Sequence, residues 1–386
     1  MVLGGALGAV VGERVGLIEP VGTVFIHLLM MAAIPLVFFN LLAGVTSLTD
    51  VRTLGRLAGK TAGYFAATTV VAILLGMGSM ALLRPGVGMS LTASLDREPG
   101  AVPSVVEILV SLIPTNVFAA FAEGNVAQLV VVGVLLGVTT LLLPDAPRDR
   151  LREIYADLAA LLRKLVDLIL AVAPWGIGAL MAVAVGRYGA LLFGPMAWFV
   201  VGIWAAHLVA TGGYLVLLRL FTPWRGGDFL RRTWPVWATT SATTSSLASL
   251  SVAMDVAEEI GLPRPLYSFT LPLGAQVNKD GTAIFLGGVV LFTAQAAGLA
   301  LSPGELVTTA LMAFLLSAGS GSIPGGGFVV ALILVQALQL PLELAAIVGG
   351  IYRLVDMGNT TVNVMGDMVG TILVAASEER RGVTWS

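Results

Sequence analysis

Residues 278–282 read Asn-Lys-Asp-Gly-Thr and interrupt a long apolar run. Two more polar stretches lie between apolar arms nearby: 239–246 reads Thr-Thr-Ser-Ala-Thr-Thr-Ser-Ser, and 317–327 reads Ser-Ala-Gly-Ser-Gly-Ser-Ile-Pro-Gly-Gly-Gly. Each arm has about 12–14 residues, too few to cross a hydrocarbon core of ~30 Å at 1.5 Å per residue. The pattern predicts two re-entrant helical hairpins, at about 229–262 and 303–340, with a broken penultimate helix between them.

The composition places the whole chain in a membrane. Of its 386 residues, 57% are hydrophobic and 11% are charged, and the mean hydropathy is +0.94. Soluble domains carry about 25% charged residues, so we expect an all-α integral membrane protein that has the lipid bilayer as a partner. The formal net charge of −2 argues against a nucleic-acid partner. The lack of cysteine excludes disulfides and thiolate chemistry.

Apolar stretches of about 20 residues are typical of spanning helices. The sequence predicts such helices at 21–48, 61–83, 126–143, 158–185 and 191–220, and a broken piece at 105–121 that Pro114 interrupts. The run 2–11 is apolar but short, so it is either a tilted half-span or part of a first helix. No basic residues precede it, unlike in a secretory signal peptide.

Basic residues alternate between the two sides of these spans. They cluster at 52–60, 148–152, 219–232 and 380–381, and the loops of the opposite side hold few. The positive-inside bias places the clusters in the cytoplasm. We therefore expect a multi-pass protein of the cell's inner (plasma) membrane with a cytoplasmic C-terminus. The plainer alternative is that arginine marks any helix end.

The three polar interruptions have a functional consequence. Backbone that is not helical at membrane depth persists only where protein, water or a bound solute satisfies its amides and carbonyls. Broken helices of this kind form the substrate and ion sites of secondary transporters. One Gly/Ser cluster alone would suggest a flexible surface loop, but three within a hundred residues favour a transport site.

The last apolar helix, at 349–377, carries a single polar stripe. Its members Asp356, Asn359, Thr360, Asn363 and Asp367 share one helical face because they follow the 3.6-residue period. A carboxylate inside a membrane segment is expensive and usually marks a pathway, a partner or a ligand. Hard oxygen ligands of this kind suit an ammonium group or an alkali cation. The alternative is a polar seam between helices.

These motifs resemble the glutamate transporter family, also called the dicarboxylate/amino acid:cation symporters or sodium:dicarboxylate symporter family. The matching stretches are Thr-Ser-Ser-Leu at 244–247, Asn-Lys-Asp-Gly-Thr at 278–282, Pro-Gly at 324–325 and the polar helix at 356–367. The resemblance covers nearly the whole chain and implies an elevator-type symporter of amino acids that assembles as a homotrimer. It implies no cofactor other than Na+ or H+ as the coupling ion.

The resemblance also implies a division of labour within a single polytopic domain, 1–386. A static scaffold would comprise about 1–50 and 102–188, and a mobile transport part about 53–84 and 190–376. The second hairpin would be the gate.

Residue roles carry over from the family position by position. Asp356 would bind the substrate ammonium, and Asn363 with the tip around Ser246 would hold the α-carboxylate. The implied substrate residues are Asp356, Asn359, Thr360, Asn363, Thr282, Thr244, Ser245, Ser246, Gly321, Pro324 and Gly325. The implied residues of the cation sites, or of their replacement, are Gly274, Asn278, Lys279, Asp280, Asp367, Thr68, Thr69, Ser317 and Ser320. Na+ is the one metal ion expected.

One departure from the family concerns the substrate. Members that take acidic substrates carry an arginine where this chain has Asn359, or at the first hairpin tip where it has Thr244. Without a guanidinium to form paired hydrogen bonds, an acidic side chain loses its partner. We therefore expect a small neutral or polar amino acid. The alternative is an acidic amino acid or C4-dicarboxylate, with Arg353 supplying the charge.

A second departure concerns the coupling ion. Lys279 replaces the motif's methionine, and Gln276 replaces a threonine. One hypothesis is that the Lys279 side chain displaces a sodium ion, so that coupling shifts toward protons or is partly lost. The other is that Lys279 extends to water and sodium coupling persists. In the second sodium site, Phe65 stands where a tyrosine is common.

Other function classes fit the sequence less well. An ion channel also uses re-entrant hairpins, but Asp356 favours a solute of fixed shape. The motifs HExxH and GxSxG are missing, so we expect no enzyme. The phosphate-binding loop GxxxxGK[ST] is also missing, which argues against ATP-driven transport.

Overall fold

The computed structural model describes residues 2–46, 55–89, 110, 113–124, 126–188, 193–320 and 325–381. Within these residues the chain forms seventeen α-helices and no strand. The first eight are α1 Val2–Val11, α2 Glu19–Thr46, α3 Gly55–Leu83, α4 Val117–Ala122, α5 Val126–Leu141, α6 Asp145–Ala171, α7 Ala173–Tyr188 and α8 Phe193–Phe221. The others are α9 Gly226–Arg232, α10 Trp234–Thr243, α11 Leu250–Glu259, α12 Arg264–Val277, α13 Asp280–Ala296, α14 Pro303–Gly319, α15 Gly326–Ala337, α16 Leu342–Val348 and α17 Tyr352–Glu379.

Three of the described helices are long and apolar enough to cross a membrane by themselves: Arg56–Leu83, Phe193–Phe221 and Tyr352–Glu379. The first two leave much of their apolar surface exposed, whereas the third is mostly buried inside the protein. The prediction of an all-α membrane fold is confirmed. The re-entrant course of the two hairpins stays a prediction.

The predicted single span at 158–185 is wrong. The structure has two helices there, because α6 ends at Ala171 and α7 begins at Ala173. Pro174 lies in the first turn of α7. Proline has no N–H to donate and its ring crowds the preceding turn, which favours a break here, although α2 and α12 continue through Pro35 and Pro272. Hydropathy does not detect such a break, since apolar residues continue on both sides.

The predicted interruption around Pro114 lies in a segment that is described only in part. Residues 113–116 are non-helical, and α4 begins directly after them. The side-chain oxygen of Asn116 accepts hydrogen bonds from the N–H groups of Phe118 at 2.9 Å and Ala119 at 3.3 Å. This cap fixes where the helix starts.

Three of the four hairpin helices differ from the predicted arm length of about 12–14 residues, and α15 agrees with it. In the first hairpin, α10 and α11 have 10 residues each. In the second, α14 has 17 residues and α15 has 12. Thr244 ends α10 in the left-handed conformation, with φ of 50°. The second tip is described up to Ser320 and again from Gly325, so Gly321 and Pro324 lie outside the described residues.

The predicted broken helix consists of α12 and α13. The break itself is only Asn278 and Lys279, because α13 begins at Asp280. Asp280, Gly281 and Thr282 therefore form the first turn of α13 rather than a loop. Nearly every residue of α13 is buried, which makes it the central helix of the fold.

Glycines let α13 approach α3 closely. A Cβ atom on Gly76 of α3 would overlap the carbonyl oxygen of Ile284, and one on Gly287 of α13 would approach the carbonyl oxygen of Ile73. Small residues at a helix interface allow this backbone approach, which is common between membrane helices.

Packing groups the helices into two sets. In one set, α2 contacts α5, α6 and α7, and α1 contacts α7. In the other, α13 contacts α3, α8, α14, α15 and α17, while α17 also contacts α10 and α12. That these sets are the scaffold and transport parts stays a prediction. That one part moves against the other stays a prediction.

We expect Gly76→Ala to destabilise the protein, because the new methyl group would force α3 away from Ile284. Overpacking of this kind costs about 1–3 kcal/mol. Gly78→Ala is the matched control on the same helix, since a Cβ at Gly78 meets only open space. Thermal unfolding in lipid nanodiscs measures both variants. Equal melting temperatures would contradict the proposed close contact.

Candidate solute and cation site

The polar stripe of α17 meets the helix break and the first hairpin tip at one buried place. All five stripe residues are buried, and so are Thr282 of α13 and Thr244, Ser245 and Ser246 of the first tip. Buried polar groups need partners, so their hydrogen bonds determine what the site can bind.

Asp356 connects α17 to the second hairpin. Its Oδ1 accepts a hydrogen bond from the hydroxyl of Tyr352 at 2.8 Å. Its Oδ2 accepts one from the backbone N–H of Gly325 at 3.1 Å. Gly325 has φ of 84° and directly precedes α15, a left-handed conformation that suits glycine. A cation that binds Asp356 would therefore share the carboxylate with the tip of the second hairpin.

Asn363 caps the N-terminus of α13 from a different helix. Its Oδ1 accepts hydrogen bonds from the N–H groups of Gly281 at 2.7 Å and Thr282 at 3.3 Å. Its Nδ2 lies 3.4 Å from Oγ1 of Thr282. Because the amide oxygen is engaged by the backbone, a substrate carboxylate at Asn363 would meet the Nδ2 group.

Asn359 is fully buried and faces α8. Its Oδ1 accepts a hydrogen bond from Nε2 of His207 at 3.0 Å. Its Nδ2 has no hydrogen-bond partner within the described part of the chain. No motif in the sequence predicts this contact, because the two residues are 152 positions apart. A glycine at 358 made it possible, since a Cβ there would collide with the imidazole.

Arg353 brings a guanidinium to the first hairpin tip. It donates hydrogen bonds to Oγ1 of Thr244 and, at 3.1 Å, to the carbonyl oxygen of Ala242. The expectation that this tip has no guanidinium is therefore wrong. The charge comes from the first turn of α17, where it lies one turn from Asp356, and not from the tip's own sequence.

The first hairpin is also fastened to the middle of α17. The hydroxyl of Thr361 lies 3.0 Å from that of Thr240 and 3.2 Å from that of Ser241. At the tip, Oγ of Ser245 accepts a hydrogen bond from the N–H of Ala248 at 3.2 Å. The bonds to Thr361 hold the first hairpin against α17.

The residues of the first predicted sodium site lie close together in the structure: Gly274, Asn278, Asn363 and Asp367. Nδ2 of Asn278 donates to Oδ1 of Asp367 at 3.0 Å and to the carbonyl oxygen of Asn363 at 3.4 Å. A Cβ on Gly274 would overlap the Asp367 carboxylate. Oδ1 of Asn278 is buried and accepts no hydrogen bond within the described residues. A free buried oxygen beside a carboxylate suits Na+.

The second predicted site centres on Asp280. Oδ1 of Asp280 accepts a hydrogen bond from Thr69 at 2.7 Å, and Oδ2 accepts one from the hydroxyl of Tyr214 at 2.5 Å. Thr68 donates to the carbonyl oxygen of Phe65 in its own helix at 3.2 Å. Tyr214 of α8 thus supplies a phenol hydroxyl to Asp280, a contact that no local motif predicts.

The remaining residues of the predicted cation set are Lys279, Ser317 and Ser320, and all three are buried. The serine hydroxyls donate to carbonyl oxygens of their own segment: Ser317 to Phe314 at 2.9 Å, and Ser320 to Ser317 at 2.8 Å. Nζ of Lys279 donates to the carbonyl oxygen of Ala275. Lys279 is 1% exposed, so the alternative in which it extends to water is wrong.

Comparisons with known proteins agree with this architecture. A sequence model of the sodium:dicarboxylate symporter family matches residues 1–377. The proton/glutamate-aspartate symporter of Escherichia coli (strain K12) is 30% identical over 95% of this chain and 86% of its own length. The protein of the same name from Bacillus subtilis (strain 168) is 31% identical, with 97% and 93% coverage. The C4-dicarboxylate transport protein of Bacillus subtilis is 27% identical, with 96% and 91% coverage.

We expect Tyr214→Phe to destabilise the protein, because Asp280 would lose a hydroxyl donor inside the fold. Hydrogen bonds to charged groups contribute about 1.5–3 kcal/mol. Tyr64→Phe is the matched control, since the Tyr64 hydroxyl is buried without a hydrogen-bond partner in the described residues. Thermal unfolding in sodium-free choline buffer compares the two. A larger loss for Tyr64→Phe would contradict this assignment.

Proposed function

The chain belongs to the sodium:dicarboxylate symporter family, and we propose that it is a cation-coupled symporter of an acidic amino acid. Membership makes it a secondary transporter in a membrane and not an enzyme. Beyond family membership, we propose the identity of the substrate. It is supported by relatives named proton/glutamate-aspartate symporters and by the charges at the site.

The observation that carries the substrate class is the pair formed by Arg353 and Asp356. One guanidinium and one carboxylate stand one helical turn apart at the first and second hairpin tips. An acidic amino acid offers matching charges, because its ammonium can pair with Asp356 and its side-chain carboxylate with Arg353. Its α-carboxylate would lie toward Nδ2 of Asn363 and the N-terminal end of α11.

A C4-dicarboxylate is the second candidate, supported by the relatives named C4-dicarboxylate transport proteins. Such a substrate lacks an ammonium group, so it would place a carboxylate beside Asp356. This repulsion favours the acidic amino acid. The preference for a small neutral amino acid loses its basis, because it rested on the lack of a guanidinium at the site.

The wider proposal follows the division into two sets of helices. The set that contains α13 and α17 would carry the solute through the membrane as one body, and the set around α2 would be the scaffold of a homotrimer. The second hairpin would open by breaking the bond between Gly325 and Asp356. The distribution of basic residues supports a plasma-membrane protein with a cytoplasmic C-terminus.

Arg353→Gln tests the substrate class. We expect aspartate or glutamate binding to weaken at least about tenfold, since a charge-assisted hydrogen bond contributes about 1.5–3 kcal/mol. Serine and asparagine binding should not weaken. Arg380→Gln is the control. Arg380 directly follows α17 and donates a hydrogen bond to the carbonyl oxygen of Phe221, not to the first hairpin tip. Isothermal titration of the purified protein measures all four ligands. Wild-type protein that binds serine more tightly than aspartate would overturn the proposal.

Asp356→Asn separates the two candidates. An amino acid would lose the partner of its ammonium, so aspartate binding should weaken by more than succinate binding does. The ratio of the two dissociation constants in wild type and variant is the readout. If Asp356→Asn weakens aspartate and succinate binding by the same factor, Asp356 does not bind the ammonium group. It would then act only through its hydrogen bond to Gly325 of the second hairpin.

A further inference from the structure

We propose that the ammonium group of Lys279 is a built-in cation that takes the place of one mobile coupling ion. This inference rests on the proposed cation-coupled symport and deepens it. It concerns the number of ions that the site needs, not the identity of the substrate.

The position of Lys279 in the helix break directs its side chain inward. The residue precedes the first turn of α13, yet its Nζ reaches back to the carbonyl oxygen of Ala275 in the last turn of α12. Carbonyl groups at a helix C-terminus carry partial negative charge and favour a cation. Lys279 thus provides at the end of α12 what a bound alkali cation would provide.

The charges around Lys279 support the same conclusion. Asn278, the other residue of the break, donates a hydrogen bond to Asp367 at 3.0 Å, which places this carboxylate beside the break. Asp280 is the next residue along the chain. Glu378 is the other acidic residue among the buried ones described, but it lies at the far end of α17 and pairs with Arg56 and Lys60.

Three carboxylates and one ammonium are therefore buried at this site. Unbalanced charge at membrane depth is expensive. A substrate ammonium would balance Asp356, which leaves Asp280 and Asp367. The ammonium of Lys279 neutralises one of these two carboxylates, so one mobile cation is enough to neutralise the other. With a neutral residue at 279, two would be needed.

The ligands point to where the remaining ion binds. The group of Gly274, Asn278 and Asp367 fits Na+, because Oδ1 of Asn278 is a buried oxygen without a hydrogen-bond partner in the described residues. Lys279, Ser317 and Ser320 fit Na+ less well, because Lys279 supplies an ammonium and no oxygen ligand, and both serine hydroxyls already donate to carbonyl oxygens of their own segment.

The test replaces Lys279 by Met and by Gln in the full-length protein in lipid nanodiscs, with Lys279→Arg as the variant that keeps the charge. Melting temperature is measured against NaCl concentration, with choline chloride at constant ionic strength and no substrate. Since ligand binding to the folded state stabilises it, Met and Gln variants should gain a sodium-dependent stabilisation beyond that of the wild type. The Arg variant should follow the wild type.

Aspartate binding gives the second readout. The plot of log Kd against log sodium concentration should steepen by one unit in the Met and Gln variants. Equal slopes and equal melting shifts in all four proteins would overturn the inference. Variants that lose stability without regaining it in saturating sodium would also overturn it, since Lys279 would then be structural only. The melting experiment needs no substrate, so failure of the wild type to bind aspartate refutes the proposed function without deciding this inference.

Discussion

The structure depends on how the backbone groups at a helix break find hydrogen-bond partners in the buried part of the protein. At the break between α12 and α13, backbone groups lose their intrahelical partners. Asn363 accepts from the first N–H groups of α13, and Lys279 donates to a carbonyl oxygen at the end of α12. Side chains thus replace the missing helical bonds. The same side chains would line the proposed binding site.

The first turns of α17 connect this break to both hairpins. Arg353 holds the first tip, and Asp356 holds the second through Gly325. Both contacts use groups that a charged solute would also seek. Because one short stretch of helix contacts both tips, a solute bound at the proposed site would compete for contacts with both. This is a physical basis for linking occupancy of the site to the position of the second hairpin.

Several features of the fold and site could be predicted from sequence because they follow from local periodicity. The polar stripe from Asp356 to Asp367 repeats with the helical period, so its shared face needed no structure. Contacts between distant residues could not be predicted. Tyr214 and Asp280 are 66 positions apart, and His207 and Asn359 are 152 apart. The break before Pro174 was missed because hydropathy is insensitive to backbone geometry.

By itself, the sequence determined the membrane environment, the helical class and the composition of the polar motifs, since these depend on hydrophobicity and short-range spacing. Only the tertiary structure decided which charges meet. It placed the guanidinium of Arg353 against Thr244 and turned Lys279 inward, away from water. Both outcomes depend on how separate helices pack, and long flexible side chains can reach different partners from the same backbone position.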